Sequence, residues 1–280
     1  MTDAGNTPDP MCPENFRVER APGKAMYLRN DVTDAQLQTL LNHPGEPIKT
    51  SPKAKVRRVG HWVVKESAGP LPVAAARNTL QREKRRHAWL AALRLRAHGV
   101  RVPEPLAFIE HSRLGVVTAT VHVFQYLDGF RDVERHLLHL VKSGAGPDAF
   151  AAFLDHLADA VNGLAEANAY HADLSGKNIF TRDGARFYFI DLDAVTLDCA
   201  YDEEKRLKNH IQLYDSFCDA LGDVLLVPFL QKMLPPEIDP RTWMPRVRDG
   251  QRERRMRIEA KWDKQGVRPR RIRDELPPVE

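Results

Sequence analysis

Three residues within the stretch 170–195 have the types and spacing that moving a phosphoryl group requires. Asp173 stands two positions after His171, where a loop carboxylate can take the proton from an attacking hydroxyl. Asn178 follows five residues later, and its amide oxygen is a hard ligand suited to Mg²⁺. Asp191 lies thirteen residues beyond that, at the end of the apolar run Phe187-Tyr188-Phe189-Ile190. Such a run reads as a short buried strand that delivers a carboxylate to the metal. Phosphoryl transfer asks a protein for positioning and charge neutralisation more than for covalent chemistry, so this sparse set is sufficient. The turn Thr181-Arg182-Asp183-Gly184 would bring Asn178 and Asp191 onto adjacent strands. His171 reads either as a member of the catalytic set or as a hydrogen-bonded core histidine.

The same residues carry a family resemblance. The stretch resembles the catalytic and metal loops of atypical kinases, and is most similar to the lipopolysaccharide kinases that phosphorylate Kdo or heptose in the inner core. That group shows a pattern like H-x-D-L-x-x-x-N-I-L, a short hairpin, then I-D-[LF]-D. Here the matching residues are His171, Asp173, Leu174, Asn178, Ile179, Ile190, Asp191, Leu192 and Asp193. Aminoglycoside-type and RIO-type kinases share much of it. The resemblance implies an α+β, two-lobed protein-kinase-like fold, with a small antiparallel-sheet N-lobe and a mainly helical C-lobe. It implies ATP and Mg²⁺, with Asp173 as base and Asn178 and Asp191 as metal ligands. Asp193 either binds a second metal or orients the loop, and Lys177 either meets the γ-phosphate or faces solvent. Trp62-Val63-Val64-Lys65 resembles a third-strand V-x-x-K element, so Lys65 would hold the α- and β-phosphates, unless it is a surface lysine ending an edge strand. Glu83, the only acidic residue between Glu66 and Glu104, would pair with Lys65; the alternative is an exposed partner for Arg86. Gln125-Tyr126-Leu127-Asp128-Gly129 resembles a hinge whose backbone at Gln125 and Leu127 binds adenine. Three departures stand out. No glycine-rich loop is present, so Lys53 or Lys55 in the turn after Ser51 would supply charge instead. Asn209-His210 replaces an acidic-apolar pair, and no A-P-E element follows the metal loop, which argues against a conventional peptide kinase. The acceptor implied is a lipopolysaccharide-core sugar or another anionic molecule met at the inner membrane surface. A protein or small-molecule kinase, and a non-catalytic scaffold on the same fold, are the other readings.

Elements that would position these groups follow from periodicity. Strands are expected over 25–29, 48–51, 55–59, 61–66, 106–110 and 115–124, and helices over 34–42, 74–98, 133–142, 147–169 and 203–221. In the helix at 147–169, Phe150, Phe153, Leu154, Leu157, Val161 and Leu164 make an apolar stripe. His136, His139 and His156 lack metal-ligand spacing. The chain divides into a disordered start (1–15), an N-lobe (16–124), a C-lobe (125–245) and a basic tail (246–280). Between Arg241 and Arg273 thirteen Lys/Arg face four Asp/Glu, so this region would meet anionic lipid, a phosphorylated substrate or nucleic acid (ranked last), or stay a solvated, partly helical tail. Three cysteines without ligand spacing suggest a reducing compartment, and the first fifteen residues show no secretory leader. No apolar run is long enough to span a bilayer, so a cytoplasmic chain, peripheral to the inner membrane at most, is expected.

Overall fold

The computed structural model describes residues 9–51, 54–68, 78–114, 116–267 and 272–275. They fall into two units: one runs to Ala97 and resumes over Val102–Asp128, the other takes His98–Arg101 and the chain from Gly129.

Seven strands of the first unit make one antiparallel sheet. They are β1 (Phe16–Ala21), β2 (Lys24–Arg29), β3 (Glu46–Ser51), β4 (Ala54–Val59), β5 (Trp62–Ala68), β6 (Pro105–Arg113) and β7 (Val116–Gln125). Their order is β1-β2-β6-β7-β5-β4-β3. Successive side chains on a strand point to opposite faces, so the sheet builds a core on each. Met26, Leu28, Ala107 and Ile109 pack with Leu37 of helix α1 (Asp34–Asn42) on one face. Tyr27 and Phe108 pack with Trp89 of helix α2 (Asn78–Ala97) on the other. Thr33 and Gln36 close a capping box that starts α1 where the sequence predicts it. On the α2 side, Glu110 is 2% exposed and accepts two bonds from the Arg86 guanidinium, at 2.6 and 3.0 Å.

The expectation of a disordered start over 1–15 is corrected for residues 9–15. Met11 is buried, and its carbonyl accepts from the Trp89 indole at 3.0 Å, so this polar-looking segment is pinned by one apolar anchor. The strand β1 that follows is absent from the sequence reading, because Arg17, Glu19 and Arg20 hide its alternation. The start of the helix expected over 74–98, with Pro52, Lys53 and Gly115, lies outside the described residues.

The second unit is helical. Its helices are α3 (Val133–Lys142), α4 (Pro147–Glu166), α5 (Glu203–Phe217), α6 (Asp223–Lys232) and α7 (Pro240–Gln265). Short strands complete it: β8 (Arg131–Asp132), β9 (Tyr170–His171), β10 (Ile179–Thr181), β11 (Phe187–Phe189) and β12 (Val195–Thr196). The α4 stripe is buried as its spacing predicts, apart from Phe150, and Phe153 meets Phe187 and Phe217 at ring distances of 5.8 and 6.3 Å. The basic tail expected from residue 246 starts within a packed helix. Residues 240–265 are one helix with Trp243, Met244, Val247 and Gln251 buried. Arg255 is held there by Asp215 at 2.6 Å and Asp219 at 2.7 Å. High charge concealed a one-sided apolar face that docks on α5. Among the described residues, no helix is long and apolar enough to cross a membrane.

Candidate active site

The hairpin β10–β11 forms through the Thr181–Gly184 turn and pairs Ile179 with Phe189. Gly184 has φ +75°, and a Cβ there would lie 2.7 Å from the His136 ring, so the turn needs glycine. The amide of Ile190 donates to the Asn178 carbonyl at 3.0 Å, which ties the end of the second strand to the start of the first. Asp191 thereby follows directly on the residue that faces Asn178. Its backbone is left-handed, φ 56° and ψ 49°, a conformation that costs a non-glycine residue energy and that clusters at functional sites. A short helical turn, Leu192–Ala194, follows, and Asp193 is exposed on it.

Asp173 stands opposite this hairpin on the loop after β9. The Asn178 Nδ2 group donates to the Asp173 carbonyl at 2.8 Å and to its Oδ2 at 3.0 Å. With the nitrogen so committed, the amide oxygen of Asn178 is the atom left for a cation. Asn178 and Asp191 offer an all-oxygen donor pair, and among the described residues no trio of His, Cys, Asp or Glu gathers into a metal site of its own. That chemistry fits Mg²⁺, which takes few protein ligands and shares the rest with phosphate and water.

His171 is fully buried. Its Nε2 lies 2.9 Å from the Ile190 carbonyl, an acceptor, so Nε2 carries the proton; Nδ1 then accepts from the Asp173 amide at 3.3 Å. Burial pushes its pKa below the ordinary value and keeps the ring neutral. One side chain thus joins the residue before Asp191 to the backbone of Asp173. Lys177 is exposed on the turn Gly176–Asn178, and its charge opposes the burial that raises the pKa of Glu134.

A feature that sequence reasoning missed holds the catalytic loop from behind. Asn209, Gln212 and Ser216 of α5 are buried polar residues at helical spacing. Asn209 donates to the His171 carbonyl at 2.8 Å; Gln212 donates to the Ala172 carbonyl and accepts from the Leu174 amide, both at 2.9 Å. Ser216 accepts from the Gly176 amide at 2.8 Å. Asn209 is fixed in turn by Tyr201, whose hydroxyl donates to Oδ1 at 2.9 Å. The departure at Asn209 is therefore a working part. Amide side chains satisfy loop donors and acceptors that a carboxylate, accepting only, could not. The intervals of three and four between these polar residues were the available signal.

In the first unit, Lys65 lies on β5, opposite Val56 and His122 in the ladder. Glu83 lies on α2, but its side chain is outside the described residues, and Arg86 is engaged by Glu110. At the expected hinge, the Gln125 amide donates to the Glu104 carbonyl at 2.8 Å and the Tyr126 amide to His61 at 2.7 Å. The Asp128 amide donates to the Tyr126 carbonyl at 3.0 Å. Among the described residues of this stretch, the Leu127 and Gly129 amides stand outside that network.

Comparison with known proteins bears on the family and the fold. The sequence model of the Lipopolysaccharide kinase (Kdo/WaaP) family matches residues 34–232. No curated protein matches the chain's sequence. Among solved structures, "WaaP in complex with acyl carrier protein" is similar at a TM-score of 0.60 and 19% identity, over 77% of this chain and 91% of that one. A structure of WbdD gives a TM-score of 0.46 at 14% identity, over 72% of this chain and 49% of that one. Only the first supports the fold, and it supports the kinase-like arrangement of sheet and helices.

Proposed function

This chain belongs to the lipopolysaccharide kinase (Kdo/WaaP) family, and we propose that it phosphorylates a Kdo or heptose residue of the lipopolysaccharide inner core. It is a phosphotransferase that uses ATP and acts on a sugar hydroxyl. The observation that carries the residue assignment is the Asn178 side chain, bonded to Asp173 while its oxygen remains for a cation.

In this reading the Asp173 carboxylate accepts the proton of the sugar hydroxyl as that oxygen attacks the γ-phosphorus. The bond from that phosphorus to the bridging oxygen breaks, and ADP leaves. Bound Mg²⁺ would neutralise phosphate charge, held by Asn178 and Asp191, with Asp193 as a further carboxylate beside them. Asn178 also holds Asp173 in the pose that receives the proton. His171 is buried with both ring nitrogens engaged, so its role is to couple the backbones of Ile190, the residue before Asp191, and Asp173. Lys177, exposed on the same turn, adds positive charge to the transferring group. Lys65 anchors the α- and β-phosphates with Glu83 as its partner, and backbone groups at Gln125 and Leu127 receive adenine.

The choice between Kdo and heptose is tested by incubating the protein with ATP, Mg²⁺ and purified core oligosaccharide, then locating the added phosphate by mass spectrometry. Phosphate on either sugar supports the proposal and identifies the acceptor. Phosphate transferred only to protein or to a soluble aminoglycoside would replace it.

A further inference from the structure

We propose that the groove between α5 and α7 binds an anionic lipid, taking its phosphate on a cationic rim and the start of an acyl chain on an aliphatic floor. The inference rests on the reading above, because it assigns a docking site for a lipid of the membrane that holds the acceptor.

The groove has a volume of about 480 Å³ and lies wholly within the second unit. Its floor includes Leu207, Ile211 and Ile258, and its rim carries Lys208, Arg254, Arg257 and Lys261. Glu204 and Glu253 also line it, so the rim keeps two net positive charges. Gly250 permits this geometry: a Cβ there would lie 2.2 Å from Ile211 Cδ1, and the bare backbone lets that side chain lie across α7.

The four cations are unequally engaged. Arg254 is partly spent on Asp215 at 3.3 Å, and the Lys208 ammonium sits 5.8 Å from the Tyr170 ring centre. Arg257 and Lys261 are exposed and form no ion pair among the described residues. Charge complementarity therefore selects an anion, and the aliphatic floor selects one with a hydrocarbon attached. The lining contains no aromatic residue on which a base could stack, which disfavours nucleic acid. Gln212 also lines the groove, and the same side chain holds Ala172 and Leu174 of the catalytic loop. A lipid seated there lies directly behind that loop.

The test is sedimentation of the full chain with phosphatidylcholine vesicles that contain or lack phosphatidylglycerol, without ATP or sugar acceptor. The expected result is binding to the anionic vesicles only. The double variant Arg257→Gln, Lys261→Gln should weaken it about 30-fold, from two charges near the surface. Arg241→Gln with Arg252→Gln removes the same charge elsewhere on α7 and should leave binding near wild type. Ile258→Ser should weaken binding at unchanged charge, and excess inorganic phosphate should not displace the protein. Equal losses in the two double variants would reduce the effect to general electrostatics and overturn the groove assignment. Displacement by phosphate would assign a free-anion site instead. Failure of the wild type to bind, with capture of an acidic soluble protein lost in Arg257→Gln, Lys261→Gln, would give the groove to a protein. A chain that phosphorylates its sugar yet ignores vesicles defeats this proposal alone; one that binds vesicles but transfers no phosphate defeats the kinase assignment alone.

Discussion

The Asn178 side-chain nitrogen reaches two atoms of Asp173 at once, its carbonyl at 2.8 Å and its Oδ2 at 3.0 Å. A metal-ligand candidate therefore also sets the orientation of the candidate base. Asn178→Ala removes both functions and should lower kcat about 100-fold or more. Asn178→Asp keeps an oxygen for the cation but places a second carboxylate against Asp173, so activity should fall while Mg²⁺ dependence persists. Steady-state kinetics across Mg²⁺ concentrations separate the two; equal loss with unchanged Mg²⁺ dependence in both would remove the metal role.

The α5 clamp makes a different prediction. Asn209→Asp restores an acidic residue, yet it sets a carboxylate against the His171 carbonyl at the position where Nδ2 now donates at 2.8 Å. One buried donor is lost and two acceptors face each other, at a cost of about 1–3 kcal/mol. Thermal stability and kcat should both fall, and Gln212→Ala should do the same by stranding Leu174 and Ala172. Wild-type kcat in Asn209→Asp would show that the loop does not need this donor.

Buried histidines give the pH dependence. Burial lowers the pKa of His171, and that of His210 falls to about 3. The unfolded chain therefore takes up protons first on acidification. Stability from these sites is intact above about pH 6.5 and declines as pH falls below it toward the folded-state values. His210 Nδ1 accepts from the Trp243 indole at 2.9 Å, a role that a glutamine oxygen can fill. His210→Gln should flatten the fall of Tm between about pH 6.5 and 5. Parallel acid limbs for variant and wild type would assign that fall to other groups.

In the first unit, Arg86→Ala would take from the buried Glu110 carboxylate the two guanidinium bonds at 2.6 and 3.0 Å. Loss of one member of such a pair costs about 3–5 kcal/mol. Chemical denaturation should show that loss, and replacing both residues with apolar ones should recover much of it. A cost under about 1 kcal/mol for Arg86→Ala would mean that Glu110 finds water or another donor.

Much of this architecture is legible in the sequence where one period dominates. Residues 34–42 and 133–142 form helices with the expected bounds, and the hairpin joining Asn178 to Asp191 follows from the Asp-Gly turn. Legibility ends where burial is one-sided beneath heavy charge. The tail from residue 246 reads as basic and solvated because Trp243, Met244 and Val247 are few among the nine Lys/Arg of 240–265. Met11 and β1 were concealed in the same way by polar neighbours. At the site, the candidate ligands were legible from residue type and interval. Asn209, Gln212 and Ser216 were not, because their partners are backbone groups with no signature in sequence.

The proposed mechanism, in which Asp173, Asn178 and Asp191 carry the transfer, makes this family member an active sugar kinase. It is tested most directly by ATP turnover with Mg²⁺, with and without purified lipopolysaccharide core, in wild type and Asp191→Asn. Turnover should rise with the core and fall by about 100-fold or more in the variant, which should still fold. Turnover preserved in Asp191→Asn, or a wild type that neither binds nor hydrolyses ATP, would contradict that mechanism.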